Sequence, residues 1–276
     1  NGHVGSLEPI HDCNVTIPQQ LEQAYLAGLN VLFVTNHNTV DGYKQMLEYK
    51  KNHQKFDELK VYPAEEVTTN NEAHVLVYGI DHVIKSGLSL HEILDEAKKQ
   101  NAVTIAPHPF SLLDALRDDS IYCDLFEAFN SSNVDVYSNL RAKNFASERD
   151  LHVVAGSDSH VRSTIGRSTN LIHSENKLDG VIDAMKHHNV SIENTGYVQP
   201  KEALEHIRYK IQNSAFFIDK YTSEFNPRAL WPIKLLYKLY MINPEGIFWN
   251  MFYRISLVAL RRISKKINFE GYDHHL

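Results

Sequence analysis

The sequence predicts an α/β fold, a barrel of parallel strands wrapped by helices and followed by a C-terminal helical extension. Three observations predict it. Over residues 1–200, short strand-like runs alternate with helical patterns, as repeating βα units do. The runs are apolar on both faces, which suits parallel strands covered by helices. Five segments carry metal-loving side chains near where a buried strand would end. They are His3, Asn36-His37 after NVLFVT, Glu65-Glu66 after KVYP, His108 in APHP, and Asp158-Ser159-His160 in GSDSH. A parallel barrel gathers the C-terminal ends of its strands on one rim.

Strands are predicted at 30–35, 60–64, 74–80, 102–107, 124–129, 151–156, 169–174 and 189–194. Between them, PQQLEQAYLAGLN reads as a helix with Pro18 just inside a Thr16 cap and Gly28 near its end. SLHEILDEAKKQN opens with Ser89 and Glu92 at capping-box spacing. SENKLDGVIDAMKHHN is a third helix. The texture changes after Pro200, so residues 1–200 are read as one unit and 201–276 as a helical extension. In the extension, 201–214 is a polar helix, and 228–268 is rich in aromatic and aliphatic residues with Lys and Arg interspersed. The break falls at Asn243-Pro244-Glu245-Gly246. Asn250, Arg254, Arg261 and Lys265 share a narrow stripe at helical spacing, and the other faces are apolar.

The chain of 276 residues has a net charge of −6, unevenly spread. Residues 201–276 hold 12 Lys and Arg against 7 Asp and Glu, whereas the rest hold 16 against 27. An acidic body carries no strong nucleic-acid signal, although a local basic cleft would escape this test. Two cysteines, Cys13 and Cys123, give no disulfide framework. With no secretory leader read at NGHVGS, a cytoplasmic setting is expected, and the start at Asn1 leaves room for an upstream segment. No run of 18 uncharged apolar residues exists, so no spanning helix is expected.

The clustered acids and imidazoles are the ingredients of a divalent-metal hydrolase site. Residues i and i+2 at a strand end face the same side, so Asp158 and His160 can enter one cavity. Alone, that pair also fits a helix-capping Asp beside an exposed His. Pro107 and Pro109 stiffen the backbone around His108 and fix its ring direction. Only one of Glu65 and Glu66 can point inward, and a carboxylate there can bridge two cations. His37 stands in an Asn-rich turn sequence, and His74 opens a strand, where it fits an edge position as well as a ligand.

In order, HVGS, HDCNVT, TNHNTVDG, AEEVTT, AHVLVYG, APHPF and GSDSH resemble the motifs of the polymerase-and-histidinol-phosphatase (PHP) superfamily of metal-dependent phosphoesterases. The likeness spans about residues 1–175. It implies a distorted (β/α)7 barrel holding two or three divalent metal ions, usually Mn, Fe or Zn. By the same likeness His3, Glu66 and Asp158 would serve the first metal, Glu66, His74 and His108 the second, and Asp12, His37 and His160 the third. Glu66 matches the family glutamate better than Glu65 because it directly precedes Val67-Thr68. Arg167 stands where relatives often contact phosphate, and it also fits an ordinary surface arginine. Three positions depart from the pattern: Gly5 replaces the second His of HxH, Asn36 replaces an Asp, and Asn1 occupies another frequent Asp position.

The resemblance implies hydrolysis of a phosphorylated small molecule, a nucleotide or sugar phosphate, at the barrel rim. His37 or His160 would protonate the leaving oxygen and Arg167 would offset charge on the equatorial oxygens. The losses at Gly5 and Asn36 motivate an alternative, a catalytically weakened barrel kept as a binding or scaffold protein. Residues 228–268 suit a peripheral membrane surface or a protein partner, because Phe248, Trp249 and Tyr253 stand beside basic residues. The same helices also suit packing on the barrel through their apolar faces.

Overall fold

A computed structural model describes residues 13–213, 227–244 and 246–270. Among the described residues eight strands are formed: β1 (Val31–His37), β2 (Lys60–Thr68), β3 (His74–Tyr78), β4 (Val103–Ala106), β5 (Leu125–Asn130), β6 (Val153–Gly156), β7 (Thr169–Ile172) and β8 (Val190–Asn194). Helices α1 (Ile17–Leu26), α2 (Asp41–Lys50), α3 (Leu90–Lys99), α4 (Tyr137–Arg149) and α5 (Leu178–Lys186) are interleaved with them. Three more follow: α6 (Pro200–Asn213), α7 (Pro227–Ile242) and α8 (Ile247–Phe269).

The local signals act as expected. Thr16 and Gln19 close a capping box at α1, and Ser89 with Glu92 closes one at α3. The chain leaves α1 through Gly28 at φ 72, a left-handed conformation that costs glycine nothing. Two helices, α2 and α4, were not foreseen. The α4 segment YSNLRAKNFASER carries little apolar periodicity, and its helix is fixed by tertiary contacts of Asn139, Ala142, Phe145 and Ala146.

Strand order within the main sheet is β1-β2-β3-β4-β5-β6, and β7 pairs with β8 in a separate ribbon. The all-parallel expectation is corrected at β3, which pairs antiparallel with both β2 and β4. Its cause is local. Only five residues, Thr69–Ala73, link β2 to β3, enough for a hairpin but too few for a helical crossover. Among the described residues the sheet is therefore a mixed, curled half-barrel and not a closed parallel ring.

Alternate residues feed opposite faces of this sheet, and both faces are buried. Val75, Val77, Ala106 and Phe126 join Ile93 and Phe145 on one side. Leu76, Ile105, Leu125 and Val154 join Ile182 and Met185 on the other. Phe145 is fully buried, stacks on Phe126 at 5.8 Å between centroids, and meets Phe110 edge-on at 4.9 Å. No helix among the described residues is long and apolar enough to cross a membrane.

Phe145→Ala is expected to lower unfolding free energy by about 3–5 kcal/mol, because it empties a well-packed aromatic site. Urea titration checks this. A second expectation concerns Glu65, which is fully buried and accepts a hydrogen bond from the Ile84 backbone N–H at 2.6 Å. Burial pushes its carboxyl up to about 7, against the opposing pull of that hydrogen bond. A folded state that holds this proton more tightly than the unfolded chain loses stability as pH rises from the ordinary carboxylate range to about 7. Glu65→Gln keeps the acceptor and should remove that part of the decline, on the order of 3 kcal/mol. Unfolding at pH 5, 6, 7 and 8 reads it.

Candidate metal centre

Strand polarity assembles the site. β1 and β2 run in parallel with His37 opposite Glu66, so both arrive at the same edge. β3 runs the other way, with His74 paired to Thr68, and so its first residue, not its last, reaches that edge. β4 turns again and delivers His108 two residues past Ala106. β6 ends at Gly156 and delivers Asp158 and His160. The polarity correction thus explains why His74 opens its strand while the other candidates follow theirs.

Glu66 lies at the centre. Its Oε2 is 3.6 Å from His37 Nε2, and its Oε1 is 3.0 Å from His74 Nδ1 and 3.3 Å from His108 Nε2. Glu65, its neighbour, points to the opposite face and serves Ile84. One carboxylate thus faces imidazoles from two sides. Burial opposes charge on Glu66, but His37, His108 and His74 outweigh it and hold the carboxyl well below its ordinary range. Burial also disfavours charge on His108, yet Glu66, Asp158 and Glu127 push it up to about 9. His74 is raised too, chiefly by Glu66 against its own burial.

The donor set fits a divalent cation. Ligand atoms of His37, Glu66 and His74 lie within 4.8 Å of one another. His74 Nδ1 is buried and makes no hydrogen bond, although the carboxylate oxygen is close by. Mixed imidazole and carboxylate donors suit Zn, Fe and Mn.

A layer of supporting groups fixes these ligands, as metal sites require. His108 sits at φ 31, and its backbone N–H donates to Glu127 Oε2 at 2.6 Å. Glu127 also accepts from Asn130 Nδ2 at 2.9 Å. Burial pushes the Glu127 carboxyl up to about 7. Asn130 Nδ2 reaches Asp158 Oδ2 at 3.3 Å as well, linking the two halves of the rim. Asp158 sits at φ 44, and its carbonyl lies 3.0 Å from His160 Nδ1. His206, from α6, stacks on the His160 ring at 4.3 Å between centroids. Asn38 clips β1 to β2 through Thr68, accepting from its backbone N–H and donating to its hydroxyl.

A cavity of about 1150 Å³ runs through the curl of the sheet. His37, Glu66, His108, Asp158 and His160 line its polar end, together with Asn36, while Leu76, Ile105 and Val154 line its apolar interior. Six of the expected site residues, Glu66, His37, His74, His108, Asp158 and His160, are thus brought to one rim. Arg167 is not. Its guanidinium is 2.5 Å from Glu202 on α6 and donates to the carbonyls of Tyr197 and Ser163 at 3.2 Å. His3, Asp12, Asn1 and Gly5 lie outside the described residues. Sequence reasoning missed Glu127, Asn130, Asn38 and His206. Of these, Glu127 and Asn130 carried a signal, as a polar residue inside the strand run DLFEAF and one directly after it.

Residues 136–190, from the start of α4 to the start of β8, match the family model described as PHP-associated. The uncharacterized protein MJ1587 of Methanocaldococcus jannaschii is 34% identical over 127 residues, covering 45% of this chain and 71% of that protein. The chain belongs to the PHP superfamily. A second protein of that organism, uncharacterized protein MJ0417, is 27% identical over 158 residues, or 54% of this chain. The match spans 60% of the length of MJ0417. PsfC from Pseudomonas syringae PB-5123 shares the fold with a TM-score of 0.54 at 18% identity, over 70% of this chain and 88% of PsfC. The lesion-specific endonuclease PfuEndoQ of Pyrococcus furiosus gives 0.50 at 16% identity, over 67% of this PHP chain and 56% of its own.

The glycine at 156 tests the supporting layer. A Cβ there would stand 1.5 Å from Glu127 Oε1. Gly156→Ala should therefore displace Glu127 from the His108 backbone and weaken metal binding by roughly 10–100-fold, the usual cost of losing such a support. Titration with Mn and Zn, followed by calorimetry, measures it. Affinity equal to that of the unaltered protein would show that Glu127 supports nothing.

Proposed function

We propose that this protein hydrolyses phosphate esters in a metal-dependent reaction at the rim formed by β1, β2, β4 and β6. The observation that carries the reading is the Glu66 carboxylate, whose two oxygens face His37 on one side and His74 with His108 on the other. That geometry favours a multinuclear site, with Mn, Fe or Zn as its ions, in which Glu66 bridges. Ions held there would polarise phosphoryl oxygens and acidify a water nucleophile. The reading also carries the superfamily's closed (β/α)7 barrel, with His3 and Asp12 supplying the remaining ligands.

The chain's own residues have separable tasks. In the absence of cations His108 holds a proton beside the ionised Glu66 carboxylate, and metal loading would release it. His160, set by the Asp158 carbonyl and backed by the His206 ring, stands at the cavity wall, where it can protonate a leaving oxygen. Asn130 and Glu127 hold Asp158 and His108 in fixed relation. Arg167 ties α6 to the body through Glu202, so transition-state charge falls to other groups than its guanidinium.

The cavity is of a size to take a nucleotide or sugar phosphate, and its apolar interior offers a surface for a base or other flat group. The endonuclease likeness adds phosphodiesters to the substrates worth testing. The decisive assay loads the protein separately with Mn, Fe and Zn and follows p-nitrophenyl phosphate and bis-p-nitrophenyl phosphate. His108→Ala and Asp158→Ala should each lower metal-dependent kcat/KM by at least about 100-fold, because each is proposed to hold or fix a catalytic ion. Unchanged turnover in both variants would overturn the assignment.

A further inference from the structure

The last helix, α8, is built inside out in its second half. A helix lying on a soluble body normally turns its apolar stripe inward and its polar residues to water. On α8 the inward side is polar in its second half. Ser264 is fully buried and bonds Asp135 at 2.5 Å, and Asn268 donates to the Phe110 carbonyl and accepts from Arg117 at 3.0 Å. Outward, Phe248, Phe252 and Ile255 follow one another at helical spacing, flanked by Met251 and Val258. All five are more than half exposed, Ile255 at 62%. On α7, Trp231, Leu236 and Leu239 are likewise exposed.

Charge on these two helices has one sign. Together α7 and α8 contain eight Lys and Arg and no Asp or Glu. The outward stripe of α8 runs from Phe248, Phe252 and Ile255 into Arg262, while Arg254, Arg261 and Lys265 form its flank. Aromatic and aliphatic residues bordered by cations, without a single acid, match an interface of hydrocarbon beneath a negatively charged headgroup layer. Neither helix is apolar enough to cross a bilayer, so it would lie in the surface plane. At 23 residues, α8 offers a strip of about 34 Å at 1.5 Å per residue.

We propose that the outward faces of α7 and α8 dock this protein on an anionic bilayer surface. Apolar side chains enter the headgroup boundary while Arg254 and Arg262 meet lipid phosphates. The inward seam through Ser264 and Asn268 keeps α8 fastened to the body during docking, because it uses none of the outward residues.

The test is co-sedimentation of the full chain with vesicles of phosphatidylcholine alone and of phosphatidylcholine with 25% phosphatidylglycerol, in 0.1 and 0.5 M NaCl. The proposal expects at least tenfold tighter binding to the anionic vesicles, weakened by the higher salt. Phe252→Glu/Ile255→Glu should abolish binding in both salts, and Arg254→Glu/Arg262→Glu should abolish only the preference for phosphatidylglycerol. All four positions are exposed, and circular dichroism melts confirm that each variant is folded. Equal, weak sedimentation with both vesicles would overturn the proposal. So would a stable dimer by light scattering that Phe252→Glu/Ile255→Glu dissolves, which would assign the face to a second copy of the chain.

Discussion

A carboxylate held nearly out of water among three imidazoles is the constraint on which the rest of the site depends. An isolated ionised carboxyl in such a place is too costly to persist. Glu66 stays ionised because His37, His74 and His108 approach it within 3.6 Å. His74 and His108 in turn are raised because Glu66 is charged. The cluster therefore stores positive charge as protons, and a divalent cation is the natural replacement for them. Neutralisation of Glu66 and the basicity of its partners are two aspects of one balance.

The fold provides that balance through strand direction. A purely parallel sheet would have carried His74 to the opposite edge. The short Thr69–Ala73 link makes β3 run backwards and returns its first residue to the rim beside Glu66. From β4 onward, the sheet supplies a second tier: Glu127 on β5 pins the His108 backbone, and Asn130 at the end of β5 touches both Glu127 and Asp158. The left-handed conformations of His108 and Asp158 are sustained by these contacts, and backbone strain at such positions commonly accompanies a functional site.

The C-terminal helices bear on the same rim in an unexpected way. α6 reaches it through His206 against His160 and fastens itself through Glu202 to Arg167. Arg167 was expected to meet phosphate, yet a fixed guanidinium that neutralises the buried Glu202 already spends its charge inside the protein. α8, in contrast, attaches by a polar seam and leaves its apolar stripe outside. The extension thus both completes the wall of the site and carries an outward surface of different chemistry.

Taken alone, the sequence determined where the strands and several of the helices lie and which acids and histidines stand near the strand ends. Caps at Thr16 and Ser89, apolar runs at every strand, and the acids and histidines near their ends are local signals, written in contiguous residues. The residues left open which of Glu65 and Glu66 points inward, the family resemblance favoured Glu66, and the opposite orientations of the two side chains agree with period-two alternation. Only the tertiary structure decided the direction of β3, the helix at α4, the support given by Glu127, Asn130 and His206, and the engagement of Arg167. Each depends on a partner 19 to 46 residues distant or more, or on how short a link is, and no local pattern encodes the identity of such a partner. The same reason explains the inverted α8. Its sequence displayed an apolar and a basic stripe, but which of its faces meets the body was fixed by Asp135 and Phe110, more than a hundred residues earlier.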